Sequence, residues 1–497
     1  MLSRSDGDGW PDIVRRGAAR FGIDPRALAA LRIALGLLLL ADLAWRSRDL
    51  VAHYSDAGVL PRAVLRATHG GLASLSFAHG LSGSAWVQGA LFALAGGFAV
   101  ALLLGYRTRL AALGSFVLLV SLHARNPVLL NAGDSLLRRL LFWGLFLPLG
   151  GRWSVDARRA GRRHEPVASL ATVAVLLQVV LVYLVNGVLK LRGEAWLSGE
   201  AILIVFELDH LTVGLGDLLA GAPLLLEAFG LLWLAMLLVS PLLVALWGWP
   251  RAAFAGLFAA MHLGMAGTMR LGLFPLISVA GLLVFLPPRT WDAIVERLAP
   301  AIDRRFDVPA GWRSLDRRLP ALPRPTLDAR SRRRVHLGAQ VVVAALLVFV
   351  LAWNAASLGY GTMPDGVRTV ADPVDRRWDM FAPTPRTNDG WFVAPAERAS
   401  GGTIDAWGGG PVSWDRPPEL AATYPSHRWF VYLLELPRHG SAPLRAAFAD
   451  YLCRRYAAEH PDELTSVRLV FVEEAVRLDA PDRTRRIGLG EYACPTG

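Results

Sequence analysis

Lys190 is the only lysine in a chain of 497 residues; Lys and Arg together number 52, so the other 51 (52 − 1) cations are arginines. Arginine stays protonated under ordinary conditions, whereas lysine can lose its proton and act as a base or nucleophile. The lone lysine reads in two ways. It is a snorkelling residue that survived in an arginine-rich composition, or it is kept because its chemistry needs an amine. It sits in "YLVNGVLKLRGEAW" (183–196), where Tyr183, Asn186 and Lys190 recur at spacings of three and four and so share one helix face. The rest of that helix is Val, Leu and Ala. A polar stripe on such a helix is costly in lipid, and it either lines a cavity or ties helices together. Glu194, Trp196 and Glu200 follow at once, and a Lys190–Glu194 ion pair would keep the lysine charged.

Other polar residues interrupt apolar runs. His262 lies inside one, as packing or as the wall of a ligand site, and Arg270 at its end reads as an interfacial anchor. Arg32 and Asp42 share a third run but stand about 15 Å apart along a helix, so each needs a partner from elsewhere. In "RNPVLLNAGDSLLRR", Asn131, Asp134 and Ser135 open a fourth run, with Asp134 placed to cap its N-terminus. The chain has no P-loop, Rossmann glycine fingerprint, CxxC, HExxH or G-x-S-x-G. Nucleotide and metal enzymes are thereby disfavoured, and no metal is expected.

The elements that must position these residues are membrane helices. The chain is 54% hydrophobic and only 19% charged, with mean hydropathy +0.38; soluble domains carry about 25% charge. Apolar runs at 27–45, 86–105, 109–124, 136–150, 167–189, 224–247, 252–269, 271–287 and 337–358 predict an all-α polytopic membrane bundle of about nine transmembrane helices. Pieces near 55–80 and 197–222 are short enough to be interfacial or re-entrant. Arginines crowd the N-terminus, the 106–108 turn, the 151–166 loop and the 288–336 loop, which holds twelve against six acids. The positive-inside rule makes these segments cytoplasmic, and the net charge of +11 is then a topology signal and not a nucleic-acid footprint. The division is a cytoplasmic segment at 1–26, a transmembrane domain at 27–358 with its arginine-rich loop at 288–336, and an exported soluble domain at 359–497. The tail is rich in Gly, Pro and Trp. "RWFVYLLEL" and "SVRLVFVEE" read as strands and "AFADYLCRRYAAEH" as a helix, giving a small β-containing domain. "WDAIVERL" reads as a short interfacial helix. Both cysteines, Cys453 and Cys494, lie in the tail, and an exported pair reads as a disulfide. The expected location is the cell membrane, multi-pass.

Six segments together resemble the horizontally transferred transmembrane (HTTM) family, which is related to vitamin K-dependent gamma-carboxylase. They are "LRIALGLLLLADL", "HYSDAGVLPR", "NAGDSLLRRLLFWGLFLPLGGRWSVD", "YLVNGVLKLRGEAWLSGEAI", "HLGMAGTMRLGLFPLISVAGLLVFLP" and "WDMFAPTPRTNDGWFVAPA", and the resemblance covers residues 26–420. It implies chemistry in which oxygen and a reduced vitamin K quinol generate a strong base for carboxylation of peptide glutamate. The family's quinol-deprotonating lysine lies in a "GVKKL"-like segment, and "GVLKL" puts Lys190 at the second lysine position. The family's Asn-His-Ser segment corresponds here to "NAGDS", which has no histidine; His262 matches a histidine ahead of the family's Gly-x-Phe segment. The tail is shorter than the carboxylase's peptide-binding portion. The implied site is Lys190 as base, with Tyr183, Asn186 and His262 as pocket and Glu194, Trp196, Asp134 and Arg270 in support. The implied cofactor is a reduced menaquinone or vitamin K-like quinol. The implied partners are the lipid bilayer, a quinone or lipid-like small molecule and an exported peptide or protein. The rival reading is a non-enzymatic quinone- or lipid-binding protein or scaffold that retains the fold. A transporter would show inverted repeats, and none is visible.

Overall fold

The structure, a computed structural model, describes residues 20–161, 163–305, 328–369, 371–478 and 481–495, with Gly17 and Pro320. Most of the N-terminal segment and the centre of the 288–336 loop lie outside the described residues. Helix α1 (Pro25–Ser47) starts where the Asp24 carboxylate accepts from the Arg26 N–H, with Pro25 at the first helical position. Helix α2 (Ala85–Leu104) ends on Gly105, whose φ of 65° is the left-handed conformation that closes helices. Arg32 of α1 finds its partners at that end. Its buried guanidinium donates to the carbonyls of Leu102 (3.0 Å), Leu103 (2.8 Å) and Trp153 (2.6 Å), which pairs the charge with helix-end and loop carbonyls. A Cβ at 105 would stand 2.3 Å from that guanidinium, so only glycine fits.

The bundle continues with α3 (Thr108–Arg125), α4 (Ala132–Gly144), α5 (Leu170–Lys190), α6 (Pro223–Leu238), α7 (Gly248–Thr268), α8 (Phe274–Leu282), α9 (Pro288–Arg305) and α10 (Ala329–Ser357). Helix α5 opens on a reciprocal cap between Ser169 and Thr172. It is the central helix: 72% of its apolar window is buried, and α4, α6, α8 and α10 pack around it. All nine apolar runs are helical, but among the described residues only α1, α2, α5 and α10 are long and apolar enough by themselves to cross a membrane. Helix α4 is 13 residues, about 20 Å at 1.5 Å per residue, against a hydrocarbon core of about 30 Å. The 224–247 run breaks after Leu238, near Pro241. Helix α8 turns through 113° into α9 at Pro287 and Pro288, and "WDAIVERL" is helical there.

The tail is an antiparallel sheet carrying two helices. Strands β1 (Asn388–Val393), β2 (Pro395–Arg398) and β3 (Thr403–Asp405) precede α11 (His427–His439) and α12 (Ala442–Glu459); β4 (Leu464–Ala475) and β5 (Arg483–Ala493) follow. The long β4 is central. It pairs with β1 (Trp391↔Val472) and β2 (Ala396↔Val467) along one edge and with β5 (Val467↔Tyr492) along the other. "SVRLVFVEE" is β4 and "AFADYLCRRYAAEH" lies in α12, as the sequence predicts. "RWFVYLLEL" does not form the predicted strand; it is helix α11. Ser426 caps that helix by accepting from the Trp429 N–H, and Trp429, Phe430, Leu433 and Leu436 fall on one buried face at helical spacing. Composition favoured a strand, and the 3.6-residue burial pattern overrode it.

The tail packs against one end of the bundle through a shared core in which Tyr54, Phe92 and Leu129 meet Trp429, Tyr432 and Phe448. That end gathers the last turn of α1, the start of α4, the Lys190 end of α5 and Arg270. The opposite end gathers the start of α1, Trp153, Val167 and the α9 region, through Ile23↔Val167, Arg32 to Trp153 and Arg26 to Asp292.

Cys453 of α12 and Cys494 just past β5 form a disulfide with Cα atoms 5.7 Å apart. Peptide mapping without reduction should recover a Cys453–Cys494 cross-link. Reduction should destabilise the tail by up to about 4 kcal/mol, the loop-closure entropy of a segment of this length. Two freely alkylating thiols would contradict the pairing.

Candidate functional site

The stripe at the end of α5 is buried: Tyr183, Asn186 and Lys190 are each no more than 4% exposed. What covers it comes from almost two hundred residues away. The Lys190 ammonium or amine donates to the Met380 carbonyl at 3.0 Å and lies 3.2 Å from the centre of the Trp196 ring. The Asn186 amide donates to the carbonyls of Trp378 (2.9 Å) and Met380 (3.1 Å), and the Trp196 indole N–H donates to the Phe381 carbonyl at 2.7 Å. The stretch 378–381, irregular backbone entering a turn, is thus held by its carbonyls, and Phe381 sits at φ 57°, a conformation disfavoured for a residue with a side chain. Gly193 gives this segment room: a Cβ there would stand 1.8 Å from the Pro383 carbonyl oxygen.

Lys190 has no carboxylate partner among the described residues. Glu194 is exposed and begins a short helix (Glu194–Ser198), so the Lys190–Glu194 ion pair considered from sequence does not form. Tyr183 reaches across to α7, its hydroxyl 3.1 Å from His262 Nε2, and His262 is fully buried.

These groups line a cavity of about 480 Å³ between α5, α7 and the tail, within the range of about 300–1,000 Å³ typical of small-molecule sites. Of the residues singled out from sequence, Asn131, Tyr183, Asn186, Lys190, Trp196, His262 and Arg270 line it; Glu194 and Asp134 do not. Much of the wall is Val, Leu, Met, Phe and Trp. Arg270 donates to the Ala421 carbonyl at 2.8 Å, which anchors the tail and not a lipid headgroup. Sequence reasoning did not single out His210, His427 or Arg386, which also line the cavity. His210 and His427 lie outside the quoted motif segments, Arg386 lies within "WDMFAPTPRTNDGWFVAPA" with no spacing that marks it, and only folding brings the three to the wall. His210 Nδ1 bonds the buried Asp389 of β1.

Asp134 acts from behind. It forms the predicted cap of α4, reciprocally with Asn131: the Asp134 carboxylate accepts from the Asn131 N–H (2.8 Å), and Asn131 Oδ1 accepts from the Asp134 N–H (3.2 Å). Asn131 Nδ2 then faces His427 Nε2 at 2.9 Å. The "NAGDS" run carries no histidine, yet an imidazole from the tail meets its asparagine. Burial and the neighbouring Arg428 push the His427 ring from an ordinary 6.5 down to about 3, so it is neutral at physiological pH.

Arg428 locks this arrangement. Its guanidinium donates to Asp134 (2.6 and 2.8 Å), Asp42 (2.8 Å) and the Leu129 carbonyl (2.8 Å). Arg46 bonds the same two carboxylates, Asp42 at 2.7 Å and Asp134 at 2.6 Å, and the Tyr54 hydroxyl at 2.6 Å. Asp42 thus finds the partner from another element that its position required. Asp42, His123 and Asp134 are also close enough to share a cation among the described residues. Both carboxylates are already engaged by guanidinium groups, so this cluster is an ion-pair network and does not fit a metal site.

Removing Arg428 leaves two carboxylates sharing one cation inside the molecule. Arg428→Met should destabilise the protein by about 3–5 kcal/mol, the usual consequence of breaking a buried pair from one side. Thermal unfolding in lipid nanodiscs and protease sensitivity of the 359–425 stretch are the readouts. Unchanged stability would show that the network does not hold the tail in place.

The HTTM domain family model matches residues 22–291. This span includes Asn131, Asp134, Tyr183, Asn186, Lys190, Trp196, His210, His262 and Arg270, and ends before the tail that covers them. No curated protein and no solved structure matches the chain.

Proposed function

This chain belongs to the HTTM domain family, and from that premise we propose that it is a gamma-carboxylase-like membrane protein that binds a reduced quinone and uses Lys190 as the base for quinol oxidation or carboxylation-type chemistry. The observation that carries this reading is the setting of Lys190: a buried primary amine with no carboxylate partner among the described residues, on the wall of a largely apolar cavity. A flat apolar ring with hydroxyl groups suits such a wall. One N–H of the amine is directed at the Met380 carbonyl, which orients the nitrogen; a neutral amine keeps a lone pair for a hydroxyl proton. The face of Trp196 favours the ammonium that results. Deprotonation leaves the electron pair on the ring oxygen, where oxygen can take electrons from it. Tyr183 and His262 close the neighbouring wall. An exported peptide or protein is the partner class for any carboxyl transfer.

The second reading is a non-enzymatic quinone or lipid binder. It is favoured by the 378–381 segment, whose carbonyls already engage Lys190 and Asn186. Oxygen uptake with reduced menaquinone separates the two. Wild type should consume oxygen. Lys190→Arg keeps the charge but cannot deprotonate, so it should bind the quinol and lose at least about 100-fold in rate, the lower end of general-base catalysis. Equal rates in wild type and Lys190→Arg would eliminate the base role, and quinol binding without uptake in any form would favour the binder.

The topology that goes with this reading is nine spans, a cytoplasmic N-terminus and an exported tail in the cell membrane. The gathering of the arginine-bearing loops at one end and of the tail at the other supports the relative placement. With the native cysteines joined to each other, Pro320→Cys and Ser400→Cys report separately: an impermeant maleimide added outside should label 400 and spare 320. Labelling of both would refute the nine-span arrangement.

A further inference from the structure

Arg32, Arg46, Arg125 and Arg251 are buried, and each donates to an oxygen of the protein. Two neighbours on α4 depart from this pattern. Arg138 Nη1 faces a nitrogen, His123 Nδ1, at 2.9 Å, and the Arg139 guanidinium lies 4.4 Å above the Trp378 ring. Neither donates to an oxygen among the described residues. The carboxylate whose charge reaches Arg138 is Asp134, and it already serves Arg46 and Arg428. Both arginines are only partly buried, and their unbonded nitrogens keep accessible surface. Arg376 is exposed, two positions before Trp378, and its charge and that of Arg138 repel. Three guanidinium groups thus gather with no anion of their own. A guanidinium stacked on a ring keeps its in-plane N–H groups free, in the fork that matches phosphate oxygens.

Further along α4, away from the tail, the surface changes character. Phe142 follows Arg138 by four residues and Arg139 by three, so it shares their face of the helix. It is partly exposed and packs against Phe116 of α3 and against Phe146, with ring centroids 5.6 Å away in each case. Cations near the tail and an aromatic strip running inward from them suit an amphiphile better than a free ion: a phosphate meets the arginines and an acyl chain meets the rings. We infer that Arg138, Arg139 and Arg376 bind the phosphate group of an anionic phospholipid in the leaflet on the tail's side of the membrane, with an acyl chain laid along Phe116, Phe142 and Phe146. None of these residues lines the Lys190 cavity, and the site does not depend on the quinol reading. Its link to that cavity is Trp378, whose ring lies under Arg139 and whose carbonyl accepts from Asn186. A lipid bound there braces the wall over Lys190.

Phenylglyoxal, which modifies accessible guanidinium groups, tests this residue by residue. The delipidated full chain in dodecyl maltoside is treated alone, with phosphatidylglycerol, with phosphatidylcholine and with inorganic phosphate, and modified peptides are measured by mass spectrometry. Arg483, exposed on β5, is the reference. Without lipid, Arg139 should react. Phosphatidylglycerol should slow its modification at least about tenfold, the scale of one charge-assisted hydrogen bond, and slow Arg138 with it while sparing Arg483. Phosphatidylcholine should protect less and inorganic phosphate not at all. Arg376→Gln, an exposed change, should remove most of the protection and leave thermal unfolding in the lipid-free micelle unaltered. An Arg139 that stays inert without lipid overturns the site, as does slowing of Arg483 to the same degree or protection that is untouched by Arg376→Gln. Protection by inorganic phosphate equal to that by phosphatidylglycerol overturns the lipid and leaves a free-anion site. Equal protection by phosphatidylcholine overturns the preference for an anionic headgroup.

Discussion

The rest of the structure depends on four charged side chains that share one buried place. Asp42 and Arg46 come from the end of α1, Asp134 from the start of α4 and Arg428 from the start of α11. None of them could be left in an apolar interior alone, because an isolated buried charge is far costlier than any single packing defect. Two cations and two anions, each bonded to more than one partner, remove that penalty only when the tail is docked on the bundle. The network is therefore a registration device. It fixes α11 against α1 and α4, and α11 in turn places His427 against Asn131 and Phe430 against the cavity. Arg32 solves the same problem at the other end of the molecule by giving its charge to helix-end carbonyls.

This logic explains what was legible in the sequence. Helix existence was, because nine apolar runs of sufficient length can satisfy their backbone in few other ways. So was the stripe at 183, 186 and 190, since spacing on a helix determines facing. So was the need for partners at Arg32 and Asp42, since charge in an apolar run requires one. The disulfide followed from an even cysteine count in one segment. The identity of those partners was not legible. Arg428 lies 386 residues from Asp42, and Met380 lies 190 from Lys190; no local pattern marks such a contact. The fate of "RWFVYLLEL" was misread because aromatic and β-branched residues suit a strand, whereas the shared core of bundle and tail offered a helical stripe its burial. Whether Lys190 and Glu194 pair was also not legible, because it depends on the turn at Gly193 that leaves the carboxylate exposed.

The covering of Lys190 is also a matter of backbone and not of side chains. Trp378, Met380 and Phe381 contribute carbonyl oxygens, and any residue has one. What the sequence must specify is the path that brings those carbonyls in. Gly193 permits close approach, Asn186 takes two of the oxygens, and Trp196 takes a third while presenting its ring to the lysine. A guanidinium has five donors in a rigid plane. One carbonyl and one ring face suit a primary amine better, so the geometry by itself asks for lysine.

The cavity is composite, and that decides where its selectivity must lie. The family-matched stretch, 22–291, supplies the amine, the Tyr183–His262 pair, Trp196 and Asn131. The tail supplies the 378–381 carbonyls, Arg386, His427 and the apolar face of α11. Without the tail, Lys190 would lose its carbonyl acceptor, and the cavity would open on that side. The bundle thus carries the buried amine and its polar neighbours, and the tail is a wall that gives the space its shape. Two sequences that shared the bundle and differed in the tail would keep the same amine and present it to differently shaped ligands.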